Sequence, residues 1–158
     1  MLKSITCKLA HYDLGISESG RKILIDKNHA AITVLDYAAL DDTLRKMCFE
    51  GKRVFGEYPR NETYGKISIN NASHIISSPH LVINDNVVTL EANVTFLAVS
   101  EHLMKKLSIT PEQLKFVIRT RHSNVMYVDK LLCIRDIITW DIVDDPKVYN
   151  SRRSKRST

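Results

Sequence analysis

Apolar and polar side chains alternate most plainly over residues 80–97, HLVINDNVVTLEANVTFL. Val88, Leu90, Ala92 and Val94 alternate with Thr89, Glu91, Asn93 and Thr95, so one face of a strand is expected to be buried and the other wet. The polar Asn84-Asp85-Asn86 triplet separates this run from β-branched residues before it, which is a hairpin signal. Residues 4–12 alternate well enough for a strand, and 13–21 carry turn chemistry. Short strands are expected at 22–25, 53–57, 66–70 and 73–77. A different period begins at Asp36. That residue is an expected N-cap, and Leu40, Leu44, Met47 and Cys48 then share one helical face, with Gly51 as the stop. A second helix is expected over 100–107, capped by Ser100, with Leu103, Met104 and Leu107 turned inward. Thr110 and Pro111 open a single helical turn. The segment after them becomes a strand ending near Thr120. After a turn at 122–124, two more strands are expected, VMYVDK and KLLCIRDIITWDIV. The pattern predicts an α+β, mainly β domain: a small, partly open antiparallel β-barrel with two or three helices.

Composition adds limits. A chain of 158 residues with 44% apolar and 26% charged residues is one domain by default, and it is long enough to bury a core. No apolar run approaches the roughly 18 residues of a membrane span, so no membrane association is expected. The opening MLKSITCKLAHYD lacks a long apolar segment, so no secretory signal is expected and a cytoplasmic origin is the default. Cys7, Cys48 and Cys133 are far apart and form no CxxC pair. They are expected to be buried thiols rather than metal ligands or disulfides.

The net charge of +5 is local. Residues 147–158 hold Lys147, Arg152, Arg153, Lys155 and Arg156 and no acid, and the remaining basic residues equal the 18 acidic ones. The chain therefore divides into a neutral domain, 1–146, and a basic C-terminal tail, 147–158. Such a tail orders only against an acidic surface or nucleic acid.

Chemistry-bearing motifs are sparse. Among six histidines none has HExxH spacing, and GxSxG, GxxxxGK[ST] and GxGxxG are absent, so no metal and no cofactor is expected. His74 lies beside Ser73, Ser77 and Ser78. Neighbours on an extended strand point to opposite faces, so Ser73 and His74 are not expected to meet. The cluster Arg119-Thr120-Arg121-His122 is cationic: a solvated strand end, or a site for a phosphate, a carboxylate or an acidic chain.

Four segments, taken in order, resemble the prohead maturation proteases of tailed bacteriophages, which share a fold with the herpesvirus assemblins. VFGEYP, 54–59, is similar to the family's LGELDHP strand and loop. KISINNASHIISSPHLVINDNVVTLEANV, 66–94, resembles its hairpin. LKFVIRTRHSN, 114–124, sits where the family has LGVSSRGxG, and ITWDIVDDP, 138–146, is similar to LxxFDIVSDPS. The resemblance implies a prohead-protease-like fold. It also implies where catalytic groups should stand, and there the chain departs from the family. The loop that should hold the histidine base reads Tyr58, Pro59, Arg60. The positions aligned with the nucleophile element are Arg119, Thr120 and Arg121, and the glycine after it is His122. No catalytic residue is therefore expected, with His74 as a remnant near the base.

The expected function is that of a pseudoenzyme in the virion, present in the host cytoplasm during assembly. It would be an auxiliary or decoration protein bound to the major capsid protein. Arg119, Arg121, Lys147, Arg152, Arg153, Lys155 and Arg156 are the expected contacts, with scaffold protein or packaged DNA as further partners of the tail. Two alternatives stand beside it. One is an active, divergent serine or threonine protease using Thr120 or Ser123 with His74; the other is nucleic-acid binding through the tail.

Overall fold

The structure is a computed structural model, and it describes residues 4–58, 72–121, 125–128 and 130–144. Among the described residues, ten strands and two helices follow one another as β1 (Ser4–Ile16), β2 (Lys22–Asp26), β3 (Thr33–Asp36), α1 (Tyr37–Phe49), β4 (Arg53–Glu57), β5 (Ala72–Asn84), β6 (Val87–Phe96), α2 (Ala98–Leu107), β7 (Lys115–Thr120), β8 (Val125–Val128), β9 (Leu131–Ile134) and β10 (Ile137–Val143). A 3-10 turn at Pro111–Gln113 precedes β7, where Thr110 N donates to Gln113 Oε1 at 2.7 Å. The protein is mainly β, with a curled half-barrel sheet. No helix of the described residues is long and apolar enough to cross a membrane.

Eight strands form the large sheet in the order β4-β5-β6-β1-β2-β3-β9-β8, and β10 pairs with β7 in a separate ribbon. The β5–β6 hairpin turns at Asp85, whose φ of 56° is a left-handed conformation that Asp tolerates. Along β6, Val88, Leu90, Ala92 and Val94 are buried while their neighbours are not, as the alternation requires. Bulges interrupt β1 between Lys8 and Ala10, β5 between Ser77 and His80, and the β4–β5 pairing between Gly56 and Glu57. Each bends its strand, and together they curl the sheet over the ribbon.

Four expectations are corrected. The sheet is not wholly antiparallel, because β3 and β9 run parallel with Leu35 opposite Leu132. A parallel pair needs a long crossover, and here nearly a hundred residues beginning with α1 supply it. The run 130–143 is two strands rather than one. It breaks at Arg135-Asp136, sending β9 to the large sheet and β10 to the ribbon. In α2 the cap is Leu97, and Ser100 lies buried inside the helix, while Leu107 is exposed. Cys7 and Cys133 are buried, but Cys48 is exposed at the flank of α1, and its thiol donates to Pro79 O at 3.1 Å. The segment 66–70 lies outside the described residues.

Helix α1 starts where Asp36 predicts. Its Oδ2 accepts from Ala39 N at 3.0 Å, while Oδ1 stands 3.2 Å from Arg21 Nη2. Leu40, Leu44 and Met47 bury the inner face against the sheet. Asp36→Ala removes both the cap and the ion pair. It is expected to lower stability by about 1–2 kcal/mol in a denaturant melt.

The ribbon differs from the large sheet in its burial. In β7 every residue from Phe116 to Thr120 is buried, and in β10 every residue except Ile138. Both faces of these strands are covered, so any charged side chain on them needs an internal partner.

Candidate functional site

Three of the polar residues that the sequence singles out, Arg119, Ser73 and His74, lie where the ribbon meets β4 and β5. Arg119, from β7, is fully buried. Its Nη2 lies 2.8 Å from Glu57 Oε1, at the end of β4, and its Nε lies 2.9 Å from Asp141 Oδ2, on β10. All three side chains have no exposed surface. Asp141 Oδ1 also accepts from Glu57 N at 3.0 Å, so one carboxylate holds both the guanidinium and the β4 backbone. In the β7–β10 register Arg119 faces Thr139, which makes Asp141 its diagonal neighbour. Burial pulls the guanidinium's pKa down. Asp141 and Glu57 outweigh that and hold it above its ordinary value.

Ser73 and His74 open β5 and are also fully buried. Ser73 Oγ stands 2.6 Å from His74 Nδ1. The expectation that these neighbours cannot meet is therefore wrong, and the bulge explains why. Glu57 is opposite Ala72 and Gly56 is opposite His74, so Ser73 is the extra residue and strand alternation fails there. His74 Nε2 lies 2.7 Å from Trp140 O. A carbonyl only accepts, so Nε2 carries the ring proton, and Nδ1 accepts from the Ser73 hydroxyl. The ring also meets Phe116 edge-on at 5.6 Å. Ser100 Oγ, from α2, donates to Ser73 O at 2.5 Å, and Leu97 N donates to the same oxygen at 2.9 Å.

A serine hydrogen-bonded to a histidine has the form of a nucleophile and its base. Two facts deny it that chemistry. Neither side chain has exposed surface, so no substrate carbonyl reaches Ser73 Oγ. Burial also lowers the His74 pKa to about 4, with the Trp140 hydrogen bond opposing, so the ring is a weak proton acceptor at neutral pH. The pair ties β5 to β10 instead.

That depressed pKa makes stability depend on pH. The folded protein resists protonating His74 until pH falls to about 4, whereas the unfolded chain takes the proton near pH 6.5. The stabilising contribution is complete above pH 6.5 and is lost as pH falls towards 4. The loss is on the order of 3 kcal/mol across that window. His74→Gln should flatten this part of a stability-versus-pH curve measured by urea titration.

The remaining candidates are scattered. Thr120 is buried, and its neighbour Arg121 is exposed and lies 3.2 Å from Asp136. The Tyr58 hydroxyl donates to Asp144 Oδ1 at 3.0 Å on the surface. It borders a shallow cavity of about 180 Å³ walled by Leu103, Leu107 and Val143. Pro59, Arg60, His122, Ser123, Lys147, Arg152, Arg153, Lys155 and Arg156 lie outside the described residues. Arg119 is an internal cation and not the surface contact expected of it. Among the described residues no group of three His, Cys, Asp or Glu is placed to hold a metal.

Sequence reasoning missed Glu57, Ser100 and Asp141. A signal for Asp141 existed: it stands in the apolar run ITWDIV, as Arg119 stands in FVIRT. Two opposite charges, each enclosed by apolar neighbours, imply one buried pair. No family model, curated protein or solved structure matches the chain.

Proposed function

We propose that the chain is a noncatalytic protein of prohead-protease and assemblin-like fold. In this reading it serves a phage head as an auxiliary or decoration protein bound to the major capsid protein. The observation that supports this most is Arg119. At the position the resemblance assigns to the nucleophile element stands a guanidinium with no exposed surface, clasped by Glu57 and Asp141. A structural cation there leaves no room for a scissile carbonyl. A mainly β half-barrel with two helices is compatible with such a fold.

With chemistry gone, what a retained scaffold offers is surface. Exposed Arg121 and the basic residues 147–158 suit an acidic capsid or scaffold surface, or packaged DNA. An ordered lattice multiplies weak contacts of this kind through effective concentration. The test is quantitative mass spectrometry of purified particles. Copies in fixed ratio to the shell protein are expected; near absence from mature particles overturns the reading.

The competing reading, an active serine hydrolase, would have to use the Ser73–His74 contact despite its burial. A fluorophosphonate probe separates the two. No labelling of the folded chain is expected, whereas labelling that disappears in Ser73→Ala would establish the hydrolase.

A further inference from the structure

Strand β1 has two partners, but not along its whole length. It pairs with β6 from Ser4 to Asp13, while β2 joins its other side only from Tyr12 onward. Among the described residues, no strand is paired with this side of residues 4–11. At His11 a side chain stands in for the missing strand. Asn28 Nδ2 donates to His11 O at 2.8 Å, and Asn28 Oδ1 accepts from His11 N at 3.4 Å. These are the two bonds a neighbouring backbone residue would make, and they show that the His11 amide and carbonyl face this side. Upstream, no such substitute stands against the edge among the described residues.

A strand edge of this length without a paired strand is a template for another chain unless something blunts it. Here it borders a groove rather than open solvent. On the far side run the 3-10 turn and the start of β7. Between them lie adjoining cavities of about 260 and 390 Å³, the first beside Ile5–Lys8 and the second beside Lys8–His11. The floor is apolar, with Leu9, Leu114 and Phe116 buried in it. The rim is basic: Lys8, Lys27 and Lys115, with exposed His11, against a single acid, Glu112. Lys27 is already 2.9 Å from Asp13, so Lys8 and Lys115 are the cations that a ligand would meet first.

We propose that the β1 edge and the Lys8–Lys115 groove form a docking site for an extended, acidic segment of a partner protein, which adds to the sheet as a strand beside residues 4–11. Backbone hydrogen bonds along the edge hold the segment, alternate side chains enter the apolar floor, and carboxylates meet the lysines. The chain's own basic tail carries the wrong sign for this groove. The site lies at the opposite end of β7 from Arg119, so it depends neither on the protease resemblance nor on the capsid reading.

The experiment uses the full chain and three eight-residue peptides. One alternates Asp and Val, one alternates Lys and Val, and the third is the acidic peptide N-methylated along one edge. Binding is read by fluorescence anisotropy and by amide shifts in ¹⁵N spectra. The acidic peptide is expected to bind, to shift amides of residues 5–11 and 112–116, and to weaken with salt. The N-methylated peptide should lose binding. Lys8→Glu/Lys115→Glu should weaken the acidic peptide about tenfold or more, its fold being checked by far-UV dichroism. Equal binding of the Lys-Val or N-methylated peptide, shifts confined to other surfaces, or no shift at millimolar peptide would each overturn the proposal. So would self-association of the chain that this charge reversal abolishes, because it would give the edge to a second copy.

Discussion

Arg119→Met is expected to destabilise the protein by about 3–5 kcal/mol, because it leaves two carboxylates buried without their cation. The substitution keeps the aliphatic stem and its packing, so the loss reports charge rather than volume. For a chain of this size the melting temperature should fall by about 10 °C or more. Three controls sharpen the reading. Arg121→Met, on the exposed pair with Asp136, should change stability by no more than about 1 kcal/mol. Arg119→Lys should recover little, since Nε and Nη2 reach two different carboxylates and an ammonium cannot span both. Adding Glu57→Gln to Arg119→Met should return part of the loss, because one of the buried negative charges is then removed; non-additivity is the signature of a shared network. Unlike the exposed pair, the buried one should be nearly insensitive to salt. A loss below about 1 kcal/mol for Arg119→Met would mean that water reaches Glu57 and Asp141, and the enclosed triad would be wrong.

The sequence carries the local signals of this fold and little of its long-range pairing. Asp36 caps α1 and the β5–β6 hairpin turns at Asp85 because those decisions depend on residues a few positions apart. The parallel contact of β3 with β9 joins Leu35 to Leu132. No period in either segment names its partner, so the antiparallel barrel expected from strand content was incomplete. Ser100 shows a subtler limit. It has cap chemistry, and its hydroxyl is used, but on Ser73 O across the structure rather than on its own helix.

The candidate site divides along the same line. His122 and Ser123 belong to a segment whose reading stays with the sequence. Arg119 stands out in the sequence within a cationic cluster and His74 beside serines, yet their roles depend on geometry. In the sequence Arg119 stands in a cationic strand end and suits a surface contact, whereas β7 is covered on both faces. Regular strand alternation would separate Ser73 from His74. The bulge opposite Gly56 cancels that rule over one residue, the residue that matters.

Gly56→Ala should be the most damaging Gly→Ala substitution among the described residues, costing more than about 4 kcal/mol, a range that an overlap in the core reaches when it has no room to relax. A Cβ there would overlap Nε2 and Cε1 of His74 and the carbonyl oxygen of Trp140. The ring can swing away only by breaking its bond to Trp140 O. That oxygen belongs to β10 backbone, which is held on its other side by β7. Gly51 offers the contrast. Its φ is +62° and nothing lies within 4 Å of a Cβ built on it, so Gly51→Ala meets backbone strain alone, about 1 kcal/mol. Adding His74→Ala to Gly56→Ala removes two of the three overlaps and should recover part of the stability, although Trp140 O remains in the way. Thermal melts followed by Trp140 fluorescence, and hydrogen exchange at the Glu57 amide that Asp141 holds, would read both the cost and its location. If Gly56→Ala instead melted within about 1 kcal/mol of the parent, β4 would be free to move off β10. The contact among His74, Gly56 and Trp140 would then be an incidental approach and not the clamp that closes the half-barrel over its ribbon.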